Sequence, residues 1–407
     1  MRIDLLDPEP YARDEFWSAF DWLRANEPVH WHPEPGGPGF WVVSRHSDIV
    51  RVYGDSKTFV SRHGMRLGTD PSAVKAVSDR MLIVSDPPAH TYLKRALAQA
   101  FAPAEMPAID RLVRRVVDEL VAAALDQGGL DFIDLAKELP NRVVCTMMGI
   151  PRADWSWIGS LTTEAFEADE GDGRSNAHAE IFLYFMDLLR HRRAEPQDDL
   201  VTRIAFDTPV AEPGMPQRGL TDEEIVFNCN GVLAGANETT RYSAAGGVRA
   251  LAVDPAQWTR WRELGSGGTE GAVEEILRWT TPGVHAMRTA VSDTEIAGSL
   301  VAAGDRVTLW NVSANRDEAV FADAGRFLVD RQPNRHVTFG AGRHMCLGAR
   351  LARLELGVLF DALREQVSGF ELTGPVRFNS SNFTWGVTSL PVSFRRGRRG
   401  AEQYSGL

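Results

Sequence analysis

Residues 339–348 read FGAGRHMCLG, with Cys346 set among Gly340, Gly342 and Gly348, a histidine and an arginine. Glycines let a backbone turn tightly and let another group come close. After the cysteine the chain reads LGARLARLELGVLF, with Leu347, Leu351, Leu354 and Val358 at helical spacing. Cys346 is therefore expected where a glycine-rich loop becomes a helix. Free amides at a helix start favour a thiolate over a thiol. A thiolate there is a nucleophile or a metal ligand, and the loop alone leaves both readings open, together with a plain buried thiol.

Composition narrows the class. The 407 residues are 43% hydrophobic and 24% charged, as in an ordinary soluble globular protein. A net charge of −11 argues against a general nucleic-acid binder. Cys145, Cys229 and Cys346 are odd in number and far apart, so no disulfide framework and no CxxC zinc pair is expected, which fits a reducing cytoplasm. The start, MRIDLLDPEPYARDEFW, has no basic run followed by an apolar one, so neither a signal peptide nor a membrane anchor is expected.

Along the chain there is no internal repeat and no long low-complexity linker. Residues 1–60 mix a helix-like stretch, EFWSAFDWLRA, with the strand-like PVHWH and FWVVS. Helical periodicity covers 91–101, 107–126, 134–148, 176–193, 222–252, 270–280 and 347–367, and strand-like pieces cover 294–303, 305–310 and 368–394. This predicts one large, mostly α unit over 1–407 with a minor β part. Residues 165–176 break the helical pattern with Gly, Asp and Asn and are expected to be a mobile surface connection. The basic run RRGRR at 395–399 is expected to be a solvated end.

Three further stretches carry unusual chemistry. FNCNGVLAGANETTRYSAAGGVRALAV, 227–253, is apolar enough for a buried helix but holds Gly235, Asn237, Glu238, Thr239 and Thr240 at its centre. Gly costs about 1 kcal/mol against Ala inside a helix. A buried Glu needs a partner or a proton, and Thr can bond the carbonyl one turn back. A local break opening a small polar pocket is predicted; a tight helix crossing with Glu238 in water is the alternative. In EEILRW, 274–279, Glu275 and Arg278 share a helix face, although Glu274 could pair with Arg278 instead. ANRDEAVFADAGRFLVDR, 314–331, holds Arg326 and Phe327 in a loop-like run shortly before the cysteine loop.

Taken in order, these stretches resemble the haem-thiolate monooxygenases of the cytochrome P-450 superfamily, of the soluble bacterial type, over essentially the whole chain. FGAGRHMCLGARLA resembles the family's cysteine-ligand loop, GANETT its oxygen-binding helix, EEILR its Glu-x-x-Arg, GRF its meander arginine, and SDPPAHTYLKR the entry to its third main helix. The resemblance implies a mainly α fold with a small β region, a triangular helical prism with a long oxygen-binding helix over the haem.

The resemblance also implies roles. Cys346 is the implied axial thiolate of haem b, with Gly340, Gly342 and Gly348 shaping its loop and Phe339 packing beside the sulfur. His344, Arg288 in HAMRTA and His90 would reach the haem propionates. Lys94 stands where the family commonly has arginine, with Arg95 adjacent, and lacks arginine's bidentate fork. Thr239 and Glu238 form the implied proton-delivery pair, with Gly235 and Ala236 leaving room for oxygen. Glu275, Arg278 and Arg326 form an implied buried ion network. Candidate pocket walls are Phe166, Ala234, Asn237, Val284, Ala286, Phe383 and Trp385, each of which could equally be core. The implied activity hydroxylates or oxidatively cyclises a small natural product of bacterial secondary metabolism. Its electrons would come from NAD(P)H through a separate ferredoxin and reductase, and Arg343, Arg350 and Arg353 are candidates to face that donor. A cytoplasmic monomer that binds neither nucleic acid nor membrane is expected. The alternatives are a peroxide-using or non-oxygenating haem-thiolate enzyme, or a haem sensor without turnover; the acid–threonine pair argues against both.

Overall fold

A computed structural model of the chain describes residues 3–167, 172–207, 213–215 and 218–397. The helices that matter for the site are α1 (Trp17–Asn26), α2 (His46–Gly54), α3 (Ala89–Ala98), α4 (Met106–Gln127), α5 (Phe132–Met147), α6 (Trp155–Glu167), α7 (Asp172–Ala194), α8 (Asp222–Val253), α9 (Thr269–Thr280) and α10 (Ala349–Gln366). The largest sheet holds β1 (Val29–His32), β2 (Phe40–Val43), β3 (Phe59–Val60), β4 (His285–Ala290) and β5 (Arg306–Trp310) in the order β1-β2-β5-β4-β3. Within it β2 and β5 run parallel, with Trp41 opposite Val307, and the other pairs are antiparallel. A mostly α chain with a small β part is thus what the sequence predicts and what the structure holds.

Helix α8 organises the helical side. Its start is fixed by a capping box: the Glu224 N–H donates to the Thr221 hydroxyl at 3.2 Å, and the Glu224 carboxylate accepts from the Thr221 N–H at 2.7 Å. Asp222, Glu223 and Glu224 add negative charge at the positive end of the helix dipole. The N-terminal half of α8 buries Ile225, Val226, Cys229 and Leu233 in a cluster shared with α3, α6 and α7. The C-terminal half buries Ala244, Ala245, Val248 and Leu251 in a second cluster with α4, α5, α9 and α10. The polar centre of the sequence lies between the two. The predicted break is not there: α8 is unbroken from Asp222 to Val253. The Thr239 hydroxyl returns to the Gly235 carbonyl at 2.9 Å, so the side chain serves the ladder rather than opening it.

The predicted connection at 165–176 is shorter than expected, since α6 reaches Glu167 and α7 starts at Asp172; residues 168–171 lie outside the described residues. The run 395–399 is not wholly a tail, because the strand Pro391–Arg396 pairs with Val367–Leu372. No described helix is long and apolar enough to cross a membrane.

The ion network forms on α9, with one member corrected. The Arg278 guanidinium meets both Glu275 oxygens, at 2.7 and 2.8 Å, and both residues are fully buried. The third cation is Arg331, 3.0 Å from Glu275 and 7% exposed. Arg326 is exposed, and only its backbone carbonyl joins in, accepting from Arg278 and Arg331. Glu274 does not compete for Arg278; it pairs with Arg353 at 2.6 Å and with His336 at 3.1 Å. Breaking a buried pair by removing one partner costs about 3–5 kcal/mol, whereas an exposed side chain without such a role is worth at most ~0.5 kcal/mol. Arg331→Ala should therefore lower unfolding stability by about 3–5 kcal/mol in urea titration, with Arg326→Ala near parent stability. Equal losses would restore Arg326 to the network.

Candidate active site

The cysteine loop is folded onto α2 and the start of α10. The Cys346 N–H donates to the Phe339 carbonyl at 2.9 Å, and the Gly340 N–H to the Val337 carbonyl at 2.8 Å. Gly340 and Gly342 both have φ +67. A Cβ on Gly342 would sit 2.3 Å from the Tyr53 carbonyl oxygen, so only glycine lets the loop lie on α2. Gly348 has an ordinary φ of −85; its amide and that of Ala349 point at the sulfur. Phe339 is half-buried against the α9–α10 core, with the Arg353 guanidinium 4.6 Å from its ring.

Cys346 is exposed as a residue, whereas Cys145 and Cys229 are buried. Protein crowds it on its remaining sides. Burial therefore pushes the thiol up, and the Gly348 and Ala349 amides, Lys94 and Arg353 oppose that only in part. The helix-start amides favour the thiolate, as the sequence leads one to expect, but desolvation of the charge outweighs them. An electropositive partner at the sulfur is needed to hold the thiolate.

One stripe of α8 is open in the same way. Gly235 is the only exposed residue between Glu224 and Ala252, and Gly231, Val232, Ala236 and Thr239 beside it are half-buried. A Cβ at Gly235 would meet nothing within 4 Å. Val232 and Ala236 from this stripe, and Leu347 from the cysteine loop, pack on the same apolar cluster, so stripe and loop border one region.

Beside the loop, positive groups gather. Arg288 is 6% exposed and donates to the Met287 carbonyl; burial pulls it down, against Tyr53 and Asp86. The His90 and His344 rings lie 4.2 Å apart. Burial and the neighbouring cations push His90 down to about 4 and His344 down to about 2. Asp86 is the carboxylate among these groups, and it already accepts from the Ser61 N–H and from the backbone and Nε of Arg62. The cluster is therefore short of negative charge, and a ligand with carboxylates would be stabilised there. Among the described residues no three His, Cys, Asp or Glu side chains gather to hold a bare metal ion. Cys346, the Gly235 stripe and this carboxylate-seeking cluster fit haem: the thiolate would bind its iron, the stripe would leave room beside it, and the cluster would hold its propionates. Lys94, also expected at the propionates, donates its ammonium to the carbonyls of Arg343 at 2.5 Å and Met345 at 3.1 Å.

The acid beside Thr239 does not lead to solvent. Glu238 is 2% exposed and ion-paired with Arg241, and the Thr163 hydroxyl of α6 donates to it at 3.3 Å. Asn237 is also misplaced by the sequence reading. At 100° per residue it lies 200° from both Gly235 and Thr239, on the far side of α8 from the open stripe. It is 6% exposed, and among the described residues neither polar atom of its amide has a partner. Trp385 is core: it stacks on Phe378 at 5.0 Å and donates to the Tyr11 carbonyl at 2.8 Å. Val284 (0% exposed) and Ala234 (8%) are packed interior as well. Ala286 and Phe383 stay half-buried, and the side chain of Phe166 lies outside the described residues.

His285 and Arg66 were not singled out from sequence. The Arg66 guanidinium lies 5.1 Å from the Phe383 ring. His285 is 2% exposed and joins three segments. A carbonyl can only accept, so His285 Nδ1–H donates to the Asn382 carbonyl (2.7 Å), leaving Nε2 to accept from the Leu67 N–H (3.3 Å). Its place beside the glycine of TPGVHA gave no signal, because both partners are backbone groups distant in sequence. Burial pushes His285 down to about 4. The unfolded chain, with the ordinary value near 6.5, binds a proton the folded chain refuses. Stability from this group is full above pH 6.5 and falls by about 3 kcal/mol as pH drops toward 4. His285→Gln should flatten that part of the stability–pH curve in urea unfolding; an unchanged slope would show that the imidazole is not held neutral.

Comparison with known proteins agrees with this geometry. Residues 269–383 match the family profile described as Cytochrome P450. The chain is 37% identical to cytochrome P450 NovI of Streptomyces niveus, covering 96% of each, and 33% identical to linalool 8-monooxygenase of Pseudomonas putida, covering 96% of this chain and 98% of the other. Its fold matches the crystal structure of P450 OxyD, described as involved in the biosynthesis of vancomycin-type antibiotics, with a TM-score of 0.87, 34% identity, and 97% and 100% of the two chains covered.

Proposed function

The chain belongs to the cytochrome P450 family and is a P450 monooxygenase, and on that premise we propose that Cys346 is its axial haem ligand and that it oxidises a small natural product of bacterial secondary metabolism. The observation that carries the ligand assignment is the exposed Cys346 beside a carboxylate-seeking cluster. Haem b, when bound, supplies the activation of molecular oxygen. Arg288, His90 and His344 would take its propionates, by charge and by neutral imidazole N–H donation.

The chain's own residues govern protons at the open stripe. Thr239 has one hydroxyl proton and gives it to the Gly235 carbonyl, which leaves Oγ1 as an acceptor on the open side of α8. An acceptor there holds a donor O–H in place while a second proton arrives. Glu238 is the nearest acid in sequence and the proposed proton source; Arg241 and Thr163 fix its carboxylate between turns of the relay. Electrons are proposed to come from NAD(P)H through a separate ferredoxin. Arg343 and Arg350 are exposed beside the loop and suit an acidic donor, whereas Arg353 is already paired with Glu274.

Cys346→Ser should lose the long-wavelength Soret band of the reduced carbon-monoxide complex. Thr239→Ala should keep that band and substrate binding but lower product per NAD(P)H by about tenfold or more, releasing hydrogen peroxide instead. Retention of the band in the first, or full coupling in the second, would remove the respective assignment.

The natural-product reading is supported by the relation to OxyD, and by the half-buried Phe383 with Arg66 over it. It is weaker in aromatic walls than the sequence implied, since Trp385 is core. A rigid aromatic or polycyclic metabolite should still shift the Soret band toward high spin, and laurate should not. Tight laurate binding with no response to any cyclic ligand would replace this substrate class and leave the haem chemistry standing.

A further inference from the structure

Lys94 lies on α3 one turn beyond His90, so the two share a helix face. His90 rests on the His344 ring at 4.2 Å. Lys94 Nζ donates to the carbonyls of Arg343 (2.5 Å) and Met345 (3.1 Å), which bracket His344 and directly precede Cys346. Helix α3 thus grips the cysteine loop at two adjacent points. An ammonium suits this task. It is compact, and its three donors diverge toward separate carbonyls of one tight turn, whereas a guanidinium fork is shaped for a planar carboxylate. Burial pulls the Lys94 ammonium down, and Cys346 opposes that, so the charge lies within electrostatic reach of the sulfur.

We propose that Lys94 is a positioning residue for the Cys346 loop: its ammonium closes the turn before the cysteine and sets a positive charge beside the sulfur. The proposal rests on Cys346 being the axial ligand. Removing the ammonium would leave two loop carbonyls without their donor. It would also remove a charge that favours the reduced form, since charge and hydrogen bonding near the axial ligand set the potential.

The test uses purified holoenzyme and Lys94→Met, which keeps the aliphatic stem. Three quantities are read: the rate at which the long-wavelength carbon-monoxide band decays in mild denaturant, the ferric/ferrous potential, and the rate of haem transfer to apomyoglobin. The band should decay about tenfold or more faster, as loss of two charge-assisted hydrogen bonds implies. The potential should shift to more negative values, and haem transfer should be unchanged. Lys94→Gln, which restores one donor without the charge, should recover part of the band's lifetime but not the potential, and it carries the test if Lys94→Met does not fold. Faster haem transfer with an unaltered potential is the mark of a lost propionate contact and overturns the proposal. So do an unchanged decay rate and potential. A parent enzyme lacking the long-wavelength band would remove the axial-ligand reading and this proposal with it, whereas a normal parent with unaffected variants sinks this proposal alone.

Discussion

One buried carboxylate holds the cysteine side of the molecule together. Glu275 accepts from Arg278, Arg331, Asn334 and the Leu328 N–H, so both its oxygens are saturated while it is wholly removed from water. A charge buried this deeply is tolerated only with such a complete set of donors. From it a chain of contacts runs to the loop. Arg278 also donates to the Asn315 carbonyl. The Asn315 side chain accepts from the Val337 N–H and donates to Thr281 and Thr338. Val337 and Phe339 then supply the carbonyls that receive the Gly340 and Cys346 N–H groups. The links through Leu328, Asn315, Thr281 and Val337 join groups far apart in sequence, so the position of Cys346 depends on packing distant from it.

A second grip comes from the other side. Helix α3 contributes His90 and Lys94, and α2 contributes the Tyr53 carbonyl against which Gly342 lies. The loop is therefore held between α9 and its partners on one flank and α2 and α3 on the other. Between the two flanks Cys346 is an exposed residue. Such a site pre-arranges a ligand's reach without filling its space, which is the physical requirement for accepting a large flat cofactor at a single protein atom.

Local chemistry was legible in the sequence; long-range pairing was not. The cysteine loop, the 222–253 helix, the Glu275–Arg278 pair and the mostly α class are all readable, because each rests on spacing within a few residues. Arg331 was missed although it stands in the same run as Arg326. The choice between two arginines of one irregular segment depends on which one folds back to Glu275, and periodicity does not operate there. Trp385 and Val284 were assigned to a pocket because their segments border it. Trp385 and Val284 pack inward while Phe383 and Ala286, two residues away on the same segments, stay half-buried, a difference that alternation along a strand does not foretell. Asn237 failed because it lies on the far side of its helix from the open stripe.

The centre of α8 shows why three consecutive residues can have unrelated surroundings. The helix is continuous, so Asn237, Glu238 and Thr239 point in directions 100° apart. Thr239 lies on the open stripe and spends its proton on the helix itself. Glu238 turns toward α6, where Arg241 neutralises it and Thr163 donates to it. Asn237 is interior, its amide unmatched among the described residues. A broken helix would have let all three crowd into one polar pocket, which is how the sequence reads. Keeping the helix whole separates them, and the acid meets an ion pair before it meets the threonine. Proton supply along α8 then depends on how firmly Arg241 and the α6 hydroxyl hold Glu238. That ties the relay to the position of α6, the helix that carries Thr163.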